Sequence, residues 1–368
     1  MRRHLAFLSL LVSVNALADS SSLDLATRYD DGARWAFVTD AASSNVAVID
    51  TFNFSYQDSI ALKAVPTAIV VSDVQDTLVY IDGKTNQLYI YDLVTKNHSV
   101  MATSALPKSI AFHADGAQLA VVFEHSIDIV KPYEHKHVAS IQGLNPPISI
   151  NFDNGGYNLY ITEHKTGNTL IYRNHDGKKQ QLSLAKGDVS ELTLSPDTRL
   201  AMLSDYDNNS VTVWDLSMDK VQKSYSMQSK PWRPYVSSDS EHMIFSSENG
   251  HTQVINTWTQ QVVKEFNIGG KPASIRTGWL ESIGIIETDS SLSVFDLNDN
   301  AAPVNLPLKH KLQEVVVVSD SKTLFATQAN SSALLIYDIR DNKLKSPIDT
   351  KLTQPKHLVM GITNTVCH

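Results

Sequence analysis

Cysteine is almost missing from this chain. Of 368 residues only Cys367 carries a thiol, which excludes an internal disulfide framework. No Cys-x-x-Cys-His occurs, so covalent c-type haem is excluded as well. Basic blocks are lacking: Lys and Arg number 31 against 39 Asp and Glu, for a net charge of −8, which argues against nucleic acid as a partner. Beyond the N-terminal stretch no window holds about 18 continuous apolar residues, so no integral membrane segment is expected in the mature chain. No long stretch shows a helical period. Gly-x-Ser-x-Gly, His-Glu-x-x-His and a phosphate loop are all absent, and no residue is assigned a catalytic role.

What is present begins with a targeting pattern. Arg2, Arg3 and His4 precede an apolar stretch from Leu5 to Val14, and Ala16-Leu17-Ala18 offers a small-x-small cleavage site. Residues 1–18 therefore read as a secretory signal peptide, and the mature protein is expected to be periplasmic or secreted. A lone thiol in such an oxidising compartment must be buried, liganded or paired.

The remainder is periodic. An apolar-x-acid signature recurs at Asp50, Asp92, Asp215, Asp296 and Asp338, with degenerate copies at Lys131, Arg173 and Asn256. Steps between the eight positions are 42, 39, 42, 42, 41, 40 and 42 residues. Short alternating strands at a period of about 40–45 mark a β-propeller with one four-stranded blade per repeat. The expected fold is all-β, with eight four-stranded antiparallel blades rather than seven. Pro66, Pro107, Pro147, Pro231, Pro272 and Pro355 open the innermost strands, where a missing N–H costs no ladder bond.

Two segments compete for the inner strand of the first blade: Leu25–Tyr29 and Pro355–Gly361. The expected arrangement uses the C-terminal strand, because joining both chain ends ties down the weakest seam. Residues 19–31 then form an N-terminal arm, and residues 32–368 a single propeller domain. The competing arrangement closes the ring with the N-terminal strand.

The units Trp35-Ala36-Phe37-Val38-Thr39-Asp40 and Asn45-Val46-Ala47-Val48-Ile49-Asp50 resemble the YVTN family of bacterial periplasmic propeller repeats. That superfamily includes the haem-binding propeller of nitrite reductases and the heavy subunits of amine dehydrogenases. The resemblance covers residues 34 to 361. Lys230-Pro231-Trp232-Arg233-Pro234-Tyr235 and Thr277-Gly278-Trp279 resemble a subgroup linked to metal, haem or quinone enzymes.

Three constellations are candidates for binding. The first is a rim at the ends of second strands: Asp40, Asp82, Glu124, Glu163, Asp205, Glu248 and Glu287. Short acids satisfy turn amides locally, but Glu is a poor local turn-former. A negative rim would attract a cation or a basic partner. The second is the channel mouth, where Arg233 and His357 stand among Ala68, Ser109, Ser149 and Ser274, with Trp232 and Trp279 nearby in sequence. A guanidinium suits a carboxylate or phosphate. The third is the tail. Cys367 and His368 are transition-metal ligands suited to copper or zinc, and His357, His164 and His251 are possible further ligands.

These readings lead to an expected function. It is a non-enzymatic periplasmic binding propeller holding a metal ion, a cofactor or a protein partner at the channel face, as an accessory factor for a metal or redox enzyme. Two alternatives stand beside it. One is an oxidoreductase or oxidoreductase subunit with a non-covalent cofactor or copper in the channel; the other is a protein-interaction scaffold.

Overall fold

The computed structural model describes residues 34–361. They form an all-β ring of eight antiparallel blades with no helix among the described residues. Blade 1 is composite. Its inner strand is Pro355–Met360, which pairs with Trp35–Asp40, followed by Asn45–Asp50 and Ser55–Ala61. Residues 1–18 and 19–31, with Leu25–Tyr29, lie outside the described residues.

Blades 2 to 7 follow in sequence. Their inner strands are Ala68–Ser72, Ser109–Phe112, Ile148–Phe152, Thr193–Leu194, Tyr235–Val236 and Ser274–Gly278. Blade 8 opens with Leu312–Val317, and its outer edge is split between Lys343–Leu344 and Ile348–Asp349, both paired with Ala333–Asp338.

The eight signature positions each end a third strand. The cause is local. Asp50 Oδ1 accepts the N–H groups of Phe52 and Asn53, Asp92 those of Val94 and Thr95, and Asp215 those of Ser217 and Met218. Asn256 does the same for Trp258 and Thr259. The short polar side chain thus replaces the ladder partner that the chain loses as it turns outward.

Apolar side chains on both blade faces interlock between neighbours. Eight separate hydrophobic clusters fill the eight blade-to-blade junctions. Trp35 and Phe37 of blade 1 meet Leu78 and Tyr80 of blade 2, and Phe325 and Leu334 of blade 8 meet Ile49 and Leu358 of blade 1. The seam is therefore cored like every other junction.

Inner strands are not all alike. In blades 2, 3 and 4 they pair in unbroken register. In blade 5, Val189 faces Asp205 while Thr193 faces Met202, so the inner strand carries one extra residue. Blade 6 repeats this between Pro231–Ser247 and Tyr235–Ile244. Blade 8 does so between Leu312 and Glu314, and blade 1 between Pro355 and Leu358. Each is a β-bulge, which frees backbone groups and re-aims side chains.

Candidate functional site

The freed carbonyls at these bulges are taken up by the preceding blade. Asn151 Nδ2 donates to Leu192 O at 2.9 Å, Thr193 Oγ1 to Pro234 O at 2.7 Å, and Ser204 Oγ to Trp232 O at 2.5 Å. Thr327 Oγ1 donates to Lys356 O at 2.7 Å. The bulges are thus held shapes, and they present charged side chains to the channel. Arg233 Nη1 meets Glu191 Oε2 at 2.5 Å, and its Nε donates to Thr193 Oγ1 at 3.3 Å.

Beside Arg233 stands Arg276, on the inner strand of blade 7. Its Nε and Nη2 donate to Val315 O at 3.3 and 3.1 Å, and its Nη1 to Ile275 O at 2.7 Å. All three bonds go to main-chain carbonyls, two of them to Val315 O, and no carboxylate is hydrogen-bonded to it. Burial lowers the Arg276 pKa; the Arg233 charge adds to this, while Tyr235, Glu314 and Glu287 act against it. A guanidinium stays protonated regardless. Two cations therefore share one wall of a cavity of about 640 Å³, together with Trp232, Asn151 and Ser274.

The opposite wall differs. A second cavity of about 480 Å³ is lined by Val70, Ala111, Phe112, Ile150, Val316 and Val359, with two acids, Asp153 of blade 4 and Glu314 on the inner strand of blade 8. Asn151, Phe152, Asn154 and Val316 line both cavities. The channel is amphipathic across its width: two arginines stand at blades 6 and 7, while the lining from blades 1 to 3 is mostly apolar, with Val70, Ala111, Phe112 and Val359.

His357 stands on the bulged inner strand of blade 1. Its Nδ1 lies 3.3 Å from Glu314 Oε2, and its Nε2 is buried without a hydrogen-bond partner. A carboxylate behind one ring nitrogen orients an imidazole whose other nitrogen is a donor to a metal.

The rim acids divide into separate cases. Asp40 accepts Ala42 N and Ser43 Oγ of its own loop, plus Gln354 N. Asp82 holds Lys84 N, Thr85 N and Tyr89 OH; Asp205 holds Asn208. Glu163 holds Asn145, Thr166 and Asn168. Burial pushes the carboxyls of Asp40, Asp82 and Glu163 up, yet these donors outweigh it and leave all three below their ordinary values. Asp82, Glu124 and Glu248 stand one or two residues beyond strands that end at Ile81, Val122 and Ser246. Glu124 is exposed, and Glu248 meets Lys271 Nζ at 2.7 Å. Glu287 is pushed up by burial, although Ser274 Oγ donates to it at 2.9 Å. A ring of free carboxylates aimed at the axis is therefore not what Asp40, Asp82, Glu163 and Asp205 form.

Among the described residues, the expected metal ligands His164, His251 and His357 are not brought together. His164 Nδ1 faces Val189 O at 3.0 Å, and His251 Nε2 bonds outward to Glu265. His357 belongs to a third blade, and Cys367 and His368 lie outside the described residues. Trp232 packs partly into the core between blades 6 and 7. Trp279 lies at the opposite end of the ring, in the turn between inner and second strands, with Arg340 Cζ 4.8 Å and Lys322 Nζ 5.3 Å from its ring centroid. Arg276 was missed by the sequence reading. The rule that selects Arg233 and Ser274 as channel residues, extended two residues along the strand, reaches it.

A solved structure described as "Dihydro-heme d1 dehydrogenase NirN in complex with DHE" matches this chain with a TM-score of 0.73 and 13% identity, over 91% of this chain and 77% of that one. The likeness shows a β-propeller fold. No protein-family model matches the sequence, and no curated protein matches it. At that identity the comparison carries architecture and no residue roles.

Proposed function

We propose that this propeller is a non-enzymatic binding protein whose channel takes a ligand with an apolar body and an anionic group, in the periplasm. The observation that supports it most is Arg276, a permanent cation in the channel wall with no carboxylate hydrogen-bonded to it, beside Arg233. A carboxylate or phosphate would complete its hydrogen bonding, and the facing apolar wall would take the remainder of the ligand. The test is a titration of the purified chain with two probes: protoporphyrin, an apolar ring with two carboxylates, and citrate, which lacks the apolar body. Protoporphyrin should bind more tightly than citrate. Arg276→Met should weaken it by about tenfold or more, the loss of one charge-assisted hydrogen bond. Equal binding by the variant, or none by the parent chain, would remove this reading.

A second reading is favoured by His357. Its Glu314-backed imidazole fits a donor to a cofactor metal, and the similarly folded protein is described as a dehydrogenase in complex with DHE. In that reading the chain is an oxidoreductase or its subunit, and bound haem-type iron would supply electron transfer. The residues here would hold the group: His357 from one side, Arg233 and Arg276 at its carboxylates. The absorbance spectrum of protein purified from its own compartment separates the readings, since only the second requires a coloured cofactor that His357→Ala alters.

A further inference from the structure

The far end of the ring, where inner strands turn into second strands, carries its own cluster. In blade 6 this turn runs from Ser237 to His242. Asp239, Glu241 and His242 each place one donor atom there, two carboxylate oxygens and one imidazole nitrogen, all within 4.8 Å of one another. His242 is only 6% exposed, and its Nδ1 is buried with no hydrogen-bond partner. Asp239 and Glu241 are exposed.

The other blades supply an internal control. The same turn, closed by a main-chain bond across five residues, occurs at His113–Gln118, Asp153–Asn158, Ser195–Leu200 and Val318–Thr323. Its third residue is an acid at Asp115, Asp197 and Asp320 too, and each accepts N–H groups of its own turn. Asp239 does likewise: its Oδ1 accepts Ser237 Oγ at 2.5 Å and Glu241 N at 2.9 Å. The turn therefore explains one oxygen of Asp239. It does not explain Glu241 or His242, whose places are taken elsewhere by Ala117 and Gln118, Arg199 and Leu200, or Lys322 and Thr323. Where other blades seat a leucine, a glutamine or a threonine, blade 6 buries an imidazole with an unpartnered nitrogen and sets a carboxylate next to it. An unpaired buried polar atom is costly, and a cation held by His242 Nδ1 together with the two carboxylates would remove that cost.

We infer that Asp239, Glu241 and His242 form a binding site for a divalent transition-metal ion of the zinc class. One imidazole and two carboxylates match the nitrogen and oxygen ligands of zinc, with a fourth position open to water. Magnesium and calcium prefer oxygen alone. The site stands at the opposite end of the ring from Arg233 and shares no residue with the channel wall or with the Cys367 tail. Its existence is independent of what the channel binds.

The experiment uses the full chain, stripped with chelator, in a Cys367→Ser, His368→Ala background so that the tail contributes no ligand. Zinc is titrated against a chromophoric competitor, and the thermal midpoint is followed with and without zinc. One zinc per chain is expected, with a raised Tm. Glu241→Gln, an exposed change that leaves the turn's hydrogen bonds intact, should weaken zinc binding by about tenfold or more and abolish the Tm rise. His242→Gln should do the same; because that position is buried, the Glu241 variant carries the test. Failure of the parent chain to bind zinc, or equal binding by Glu241→Gln, overturns the inference.

Discussion

Blades 2 to 4 and the arc of blades 5 to 1 solve the same packing problem with different inner strands. In blades 2 to 4 the register is unbroken and small or apolar residues such as Ala68, Val70, Ser109 and Ala111 face the axis. In the arc, four of five inner strands carry a bulge, and Glu191, Arg233, Glu314 and His357 stand at or beside them. A regular strand has period two, so a residue turned to the channel forces its neighbours into the blade junctions. One extra residue breaks that constraint. The difference teaches that Glu191, Arg233, Glu314 and His357 enter this channel where the backbone has departed from its repeat, with the junction cores left intact, whereas Arg276 enters from the regular inner strand of blade 7.

The largest effects should therefore be the same in both regions. Leu358 in the seam cluster is 1% exposed and Leu78 in the first junction 0%. Leu358→Ala and Leu78→Ala should each cost about 2–5 kcal/mol, the range for emptying a packed leucine site. Urea denaturation measures both. If the seam variant costs far less, the bulged arc is loosely cored and the equivalence fails.

Next come the hydroxyls behind the bulges. Thr327 and Thr162 hold equivalent places on second strands, facing Glu314 and Ser149. Thr327 Oγ1 donates to Lys356 O at 2.7 Å, whereas Thr162 has only a 3.5 Å contact with Thr169. Thr327→Val should cost about 1–3 kcal/mol by leaving a carbonyl unpaired. Thr162→Val, measured in the same denaturant series, should cost less. Equal costs would mean that the bulges need no support from the preceding blade.

These comparisons also mark what the sequence makes legible. The third strands could be read because an Asp or Asn that holds the next turn must follow an apolar strand, as at Asp50 and Asn256. The bulges could not. Nothing in Glu191-Leu192 or Trp232-Arg233 distinguishes an extra residue from a register-keeping one, because the donors that hold the bulges, Asn151 Nδ2 and Ser204 Oγ, arrive from 41 and 28 residues away. Arg233 is legible from its position two residues after Pro231, while Arg276 sits four residues after Pro272, two beyond the equivalent place at Ser274. His242 reads as an ordinary strand residue beside Met243 and Ile244; only burial and an unpartnered nitrogen separate it from one.

The smallest expected effects are electrostatic, and they have opposite signs in the two regions. Asp82, in blade 2, has its pKa lowered: burial acts against this, but the Lys84 and Thr85 N–H groups and the Thr85 and Tyr89 hydroxyls prevail. A lowered folded pKa adds stability that is present above the unfolded value and lost as pH falls through the folded one. Asp82→Asn should therefore destabilise at neutral pH, and the gap should close in acid. Glu287, in blade 7, has its pKa raised by burial, with Ser274 and Arg276 only partly offsetting it. As pH rises from the ordinary glutamate range through the raised value, the unfolded chain releases its proton first, so stability falls. Glu287→Gln should remove that loss, making the variant the more stable chain at neutral pH and indistinguishable from the parent well below the ordinary glutamate pKa. Denaturation midpoints across the acid range measure both. A Glu287→Gln chain less stable than the parent at neutral pH would show that the ionised carboxylate is held favourably by Arg276, and that this arginine is already neutralised without a ligand.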